Sequence, residues 1–384
     1  MVKFIRKAYT YDDLTLVPKF SNIKSRTIPT TETWMTKKTK TKIPLIPSNM
    51  DTVIGPELAR VIINNGGYPI LHRFTSYDEQ ETWVKEFGEN CYISCGVRDK
   101  DVENAIKLLK LGARGVCIDI AHGHSLVMME TIRKFKKELP EKEVIAGNVC
   151  TAGGYVDLVT SGADAVKIGI GGGAPCSTRI VTGFGVPQMT AILDCAEMAK
   201  CYSVPIIADG GIRNSRDVAL ALAAGASTCM IGSLFSKTVE SCANKFIQPK
   251  NDKEKFIRVT NNEIGKLYDG EEVNLELSDG SLLKCNAEKY NLMVKYRGQA
   301  SKDFQKDFKG GMKVGTVAEG IAFMAPLKNT CQGVIDELLG GLRSAFTYGG
   351  AKNIKEFQRK AEFMEVVTES FSKESNPRKE GKTL

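Results

Sequence analysis

The chain has 384 residues, 42% of them hydrophobic and 26% charged, with a formal net charge of +8. This length suffices for one large core or two ordinary domains, and no run approaches the roughly 18 apolar residues of a membrane-crossing helix. Apart from TKKTKTK at 36–42 the basic residues are dispersed, which argues against a nucleic-acid partner and leaves attraction of small anions as the use of the charge.

From the N-terminus, MVKFIRKAYTYDD is basic with no apolar run behind it, so it does not read as a signal peptide. Residues 1–42 precede any regular pattern. From 43 onward, short apolar runs recur, most ending in or near Gly, Ser, Asn, Asp or His: IPLIPSN (43–49), YPILHR (68–73), CYISCG (91–96), GVCIDIAHG (115–123), EVIAGN (143–148), DAVKIGI (164–170), VPIIADGG (204–211) and TCMIGS (228–233). Runs that are apolar throughout, rather than alternating, suit parallel strands buried on both faces. The spacers carry helical patterns, as in DVENAIKLLKLGA (101–113) and DVALALAAGA (217–226). Eight strand–helix units predict an α/β fold of the TIM (β/α)8 barrel type, with a doubly wound sheet as the alternative.

Beyond the eighth strand the rhythm breaks until TCQGVIDELLGGLRSAF (330–346), which reads as the eighth helix. In between, EEVNLELSDGSLLKCNAEKYNLMVKYRG alternates by twos around Asp279-Gly280 and predicts a β-hairpin. The polar stretch 299–320 reads as a mobile flap over the barrel mouth, and the tail 372–384 as disordered. The expectation is one catalytic barrel domain over 1–384, with its core at 43–241 and 325–370 and a hairpin and flap insertion at 242–324. Eleven cysteines without CxxC pairs suggest a reduced, cytoplasmic protein rather than a disulfide framework.

In a barrel of this type, function sits in the loops that follow the strands. The one long gap between strands, from 170 to 204, holds GGGAPCSTR (171–179). Cys176 there is a candidate nucleophile, because a thiolate attacks strongly and Arg179 or a helix N-terminus would favour it. Thr178 could relay a proton or serve as an N-cap. Asp209, Gly210 and Gly211, with Gly232 and Ser233, suit a ligand with sugar and phosphate, since glycines let backbone N–H groups approach an anion. DGG could equally be a plain tight turn. The three histidines, His72, His122 and His124, have no familiar metal spacing. Glu319 becomes interesting only if the flap closes over Cys176.

Taken together, YDDLTLVPKFSNIKSR, IPSNMDTV, CIDIAHGHS, GNVCTAGG, the cysteine loop with STRIVTGFGVPQMTAI, IADGGIRNSRDVALALAAGA, MIGSLF, YRG and LLGGLRSAFTYGGA resemble the family of IMP dehydrogenase and GMP reductase. The resemblance implies a homotetrameric TIM barrel whose loop cysteine attacks carbon 2 of a purine mononucleotide. A dehydrogenase passes a hydride to NAD and hydrolyses the adduct; a reductase expels ammonia from GMP and takes a hydride from NADPH. GVRDKDVENAIK follows the third strand directly, leaving no room for the regulatory domain common in the dehydrogenase. No Arg-Tyr pair stands between Tyr296 and Glu319, and AEG matches the reductase pattern at Glu319. GMP reductase is therefore implied, with IMP dehydrogenase lacking the regulatory domain as the alternative.

Carried over residue by residue, Cys176, Thr178 and Glu319 would be catalytic. Asp209, Gly210, Gly211, Gly232, Ser233, Gly298, Gln299, Ala300 and Gly320 would bind substrate. Arg26, Arg73, Asp119, Ile120 and Ala121 would face the dinucleotide, with Ser344 and Thr347 from a neighbouring subunit. Gly171, Gly173, Cys176 and Arg179 would hold a monovalent cation such as potassium through their carbonyls. The chain departs from the family at Gly172 and Ala174, where Pro and Ser are usual, and at Thr316, where reductases usually carry Arg.

Overall fold

The computed structural model describes residues 5–276 and 281–367; the Asp279-Gly280 turn and the tail from 372 lie outside them. Eight parallel strands follow one another in chain order: β1 (Leu45–Pro47), β2 (Ile70–Leu71), β3 (Tyr92–Cys95), β4 (Gly115–Asp119), β5 (Glu143–Val149), β6 (Ala165–Ile168), β7 (Ile206–Asp209) and β8 (Thr228–Ile231). They are hydrogen-bonded in the order β1-β8-β7-β6-β5-β4-β3-β2. The last strand pairs in parallel with the first, Ile231 opposite Pro47, so the sheet curls nearly closed into the expected TIM barrel rather than opening as a doubly wound sheet.

Alternation along the strands sorts the side chains. Ile46, Ile70, Tyr92, Cys117, Ile145, Ala165, Ile207 and Met230 form one interior layer with Met35. Their neighbours, such as Val116, Val166, Ile168 and Ile206, point outward into the larger core under the helices. Met35 arrives from an N-terminal hairpin, Thr33–Trp34 paired with Lys40–Thr41, that plugs the barrel where the strands begin. Glu143, the first residue of β5, is buried there and accepts hydrogen bonds from Thr36, from Thr39 Oγ1 at 2.7 Å and from Tyr92 Oη at 3.0 Å.

The predicted helices form close to their expected places. The pattern at 101–113 gives Asp99–Leu111, ended by Gly112 at φ +139. The pattern at 217–226 gives Ser215–Ala223, capped by the Asn214 side chain, and the pattern at 330–346 gives Cys331–Tyr348. Among the described residues no helix is long and apolar enough to cross a membrane.

The insertion is larger than the expected hairpin. Val273–Glu276 and Leu282–Cys285 do pair antiparallel. Tyr290–Arg297, however, lies in a separate four-stranded sheet between Asn244–Pro249 and Ala322–Pro326, with Ile257–Val259 on the edge. Alternation identified Tyr290–Arg297 as a strand but carried no information about partners, which are chosen by a separate core of Ile247, Val259, Ile264, Leu267, Cys285 and Val294. Ala322–Pro326 also carries the insertion past the expected boundary at 324. The flap contains a helix, Lys302–Lys309, with Phe304 buried against Phe74.

Candidate active site

Gly169, just after β6, turns at φ +148, and a β-carbon there would fall 2.0 Å from the Asp209 carbonyl oxygen. This close approach brings the loop after β6 onto the turn after β7. Gly210 (φ +107) and Gly211 (φ +80) form that turn, and a β-carbon on Gly210 would lie 3.2 Å from the Gly173 nitrogen. Gly172 meets only ordinary contacts, 3.4 Å to Gln188 Oε1 and 3.7 Å to the Gly210 carbonyl carbon, so the backbone there does not require glycine.

Cys176 sits half-buried at the end of this loop, its N–H donating to the Gly173 carbonyl at 3.0 Å. Its thiol donates to Thr178 Oγ1 at 3.1 Å. Thr178 is the first residue of the short helix Thr178–Thr182, and the N-cap position belongs to Ser177. The capping alternative for Thr178 therefore fails, and its hydroxyl is left to the thiol. Arg179 acts differently from expectation. Its guanidinium donates to the Ile170 carbonyl (3.2 and 3.1 Å) and the Val186 carbonyl (2.7 Å), fastening the loop rather than hydrogen-bonding the sulfur.

The flap returns to this loop at both of its ends. Ser177 N donates to the Glu319 carbonyl at 2.9 Å, Ile321 N donates to the Pro175 carbonyl at 2.9 Å, and Cys176 pairs with Gly320 as an isolated bridge. Gly298 N donates to the Ile321 carbonyl, Glu319 N to the Ala300 carbonyl, and Gln299 Nε2 to the Asn49 carbonyl at 2.9 Å. Gly298, Gln299, Ala300, Glu319 and Gly320, spread over the sequence, are thus collected beside Cys176. Arg297 fixes the flap to the loop after β1 through Asp51, at 2.7 Å, and also pairs with Asp307. Burial outweighs Arg297 and holds the Asp51 carboxyl above the usual carboxylate range.

Gly232 follows β8, and a β-carbon there would fall 2.5 Å from Tyr296 Oη and 3.3 Å from Ser48 Oγ. Ser233 opens the short helix Ser233–Ser236 next to it. Burial pushes the Tyr296 phenol above its ordinary range, so it stays a neutral donor.

Asp209 is not free in the way its sequence position suggested. Its Oδ2 accepts from Asn148 Nδ2 at 2.9 Å and from Lys167 Nζ at 3.0 Å. Lys167 Nζ also lies 3.0 Å from Asp119 Oδ1, and Asp119 Oδ2 accepts from Asn49 Nδ2 at 3.1 Å. Burial alone disfavours the Lys167 ammonium, but Asp119 and then Asp209 outweigh it and hold it above the ordinary lysine range. Sequence reasoning missed Lys167, and it placed Asn49 and Asn148 at strand ends without giving either a role. A signal existed for Lys167, a lone cation inside AVKI: it falls two residues after the inward-facing Ala165, so it faces the barrel interior.

Of the residues expected at the dinucleotide, Asp119 and Arg73 act on each other: burial disfavours the Asp119 carboxylate, but Lys167, Asn49 and Arg73 outweigh it and hold its carboxyl below the usual range. Asp119 and Ile120 line the mouth, with Ile120 exchanging backbone hydrogen bonds with Gly147 and Asn148, and Ala121 follows them. Arg73 stacks over Phe74 and pairs with Asp101 at 3.7 Å, while Arg26 is exposed in the N-terminal segment. Ser344, expected to act from a neighbouring subunit, lines a cavity of about 560 Å³ on the outer wall, beside residues 16–19 and the helix Ser215–Ala223. Thr347 bonds back to the Arg343 carbonyl in the same helix.

Of the carbonyls expected to hold a cation, that of Gly173 accepts Cys176 N and that of Arg179 accepts Gly183 N at 3.1 Å. Each retains a second lone pair, and neutral carbonyls in a loop without a carboxylate are donors suited to a weakly hydrated monovalent ion. Among the described residues no group of three His, Cys, Asp or Glu side chains could hold a metal ion.

His72 is a core residue, packed against Trp83 and Phe74, with Nδ1 accepting the Phe74 N–H at 3.1 Å. Burial pushes its imidazole from 6.5 down to about 4. Between those values the unfolded chain binds a proton that the folded chain refuses, so stability falls as pH falls through that window. From pH 7 to pH 5 this costs about 2 kcal/mol at roughly 1.4 kcal/mol per pH unit. Chemical unfolding at both pH values should show a shallower loss in His72→Asn; equal losses would remove His72 as the cause.

The family model described as IMP dehydrogenase / GMP reductase domain matches residues 8–259 and 273–378. The unmatched interval, 260–272, falls inside the insertion and carries the helix Asn261–Tyr268. Inosine-5'-monophosphate dehydrogenase from Cryptosporidium parvum is 31% identical over 95% of this chain and 94% of its own length. A GMP reductase from Caenorhabditis elegans is also 31% identical, over 94% of this chain and 92% of its own. Inosine-5'-monophosphate dehydrogenase from Nitrosopumilus maritimus is 39% identical over 73% of this chain, a match that spans about half (52%) of that relative.

Proposed function

We propose that this chain, which belongs to the IMP dehydrogenase / GMP reductase family, is an NADPH-dependent GMP reductase. The observation that carries the reading is the short flap whose Glu319 carbonyl accepts a hydrogen bond from Ser177 N, the residue next to Thr178, whose hydroxyl accepts the thiol's hydrogen bond. Cys176 Sγ would bond to carbon 2 of GMP while the bond from carbon 2 to the exocyclic amine breaks. Thr178 and Glu319 would deliver the proton that lets the amine leave as ammonia. NADPH supplies the hydride that replaces the sulfur at carbon 2; the sulfur's bonding electrons return to Cys176 as IMP forms.

In this reading Asp209 takes the ribose, and the backbone around Gly210, Gly211, Gly232 and Ser233 takes the phosphate. Asp119, Ile120 and Arg73 would hold the dinucleotide, completed by Ser344 and Thr347 of a neighbouring copy in a homotetramer. Carbonyls of the 171–179 loop would hold a monovalent cation. IMP dehydrogenase is the second reading, favoured by the equal similarity to a relative of that name. Purified protein should consume NADPH with GMP and release ammonia. Reduction of NAD with IMP and no reaction with GMP would overturn the proposal in favour of the dehydrogenase.

A further inference from the structure

We infer that Lys167 is a positioning residue that couples the two ligand sites, serving as the shared counter-ion of Asp209 on the mononucleotide side and Asp119 on the dinucleotide side. The inference rests on the assignment of those two carboxylates under Proposed function. Lys167 is 2% exposed, whereas Asp119 and Asp209 keep 16% and 17%, so the ammonium is sealed beneath two carboxylates that face the mouth. Its Nζ lies 3.0 Å from each.

The remaining contacts constrain which oxygens a ligand can reach. Asp209 Oδ2 is taken by Lys167 and Asn148, leaving Oδ1 without a partner among the described residues. Asp119 has both oxygens engaged, by Lys167 and by Asn49. One buried ammonium thus bridges both carboxylates, while Asn148 and Asn49 each donate to only one of them. A change in the charge of one carboxylate shifts the ammonium's share of the other, because all three groups lie in a buried site where screening is weak. The two ligands would feel each other through Lys167 without touching the same residue.

Binding of IMP, a ligand common to both activities of the family, tests this in the full chain by titration calorimetry. Asp119→Asn, on the dinucleotide side, is expected to change IMP affinity by about fivefold or more, the low end of measured site-to-site couplings. In Lys167→Met, both IMP and the dinucleotide should bind at least about tenfold more weakly, and the Asp119→Asn effect on IMP should vanish. A 2',3'-dideoxy analogue of IMP should lose affinity against wild type but lose no more against Lys167→Met. Unchanged IMP affinity in Asp119→Asn would overturn the inference even if Lys167→Met fails to fold. So would a Lys167→Met protein that is less heat-stable but binds both ligands normally. If the wild type itself binds no purine mononucleotide, the functional assignment fails rather than the coupling.

Discussion

Replacing Cys176 by alanine is expected to lower turnover by about 10⁴-fold or more, the scale seen when a covalent nucleophile is removed, while GMP affinity changes only a few-fold. The separation follows from the site. The groups proposed to hold ribose and phosphate lie at the end of β7 and on the loops after β7 and β8, and none depends on the sulfur. The backbone bonds that fix the loop, from Cys176 N to Gly173 and from Ser177 N to Glu319, also survive the substitution. Burial pushes Cys91, Cys117, Cys195 and Cys242 up to about 12, so they stay protonated, and the exposed Cys201 has no hydroxyl partner. Turnover followed by NADPH fluorescence, with GMP binding by calorimetry, checks both halves. A Cys176→Ala enzyme within tenfold of wild type would remove the thiol from the mechanism, and Cys201→Ala serves as the silent control.

Glu319→Gln is expected to slow GMP turnover by about 10²–10⁴-fold, the usual worth of a positioned general acid or base. Glutamine keeps the side chain's size, and the flap is held by main-chain bonds at 319 and 321, so the substitution tests proton transfer rather than flap placement. Thr178→Val, which removes the partner of the thiol at 3.1 Å, should act on the same step. If the two residues form one relay, the double variant will be little worse than the poorer single variant. Additive losses would separate their roles, and full activity in Glu319→Gln would exclude the carboxylate.

Much of the fold was legible because it rests on local regularities. Runs such as GVCID and TCMI are apolar on both faces, which suits a strand covered on both faces. Eight of them at similar spacing leave few architectures besides a barrel. The cysteine loop was legible for a related reason: GGGAPC combines a bare backbone with a nucleophile where the strand rhythm pauses. Lys167 was overlooked because a lysine in a four-residue strand looks like a surface residue until the barrel closes and turns it inward. The role of Arg179 was misjudged because spacing places it near Cys176, while its side chain turns away to fasten Ile170 and Val186.

By itself, the sequence determined the strands and the helices and singled out Cys176 as the candidate nucleophile, since periodicity and residue chemistry are short-range properties. The tertiary structure alone decided which residues meet: Glu319 beside Cys176, Asp209 and Asp119 on one buried ammonium, and Tyr290–Arg297 in a sheet with Asn244–Pro249 in addition to the expected hairpin. These contacts span tens to more than a hundred positions. They are set by closure of the barrel and by a separate core in the insertion, and no local pattern encodes them.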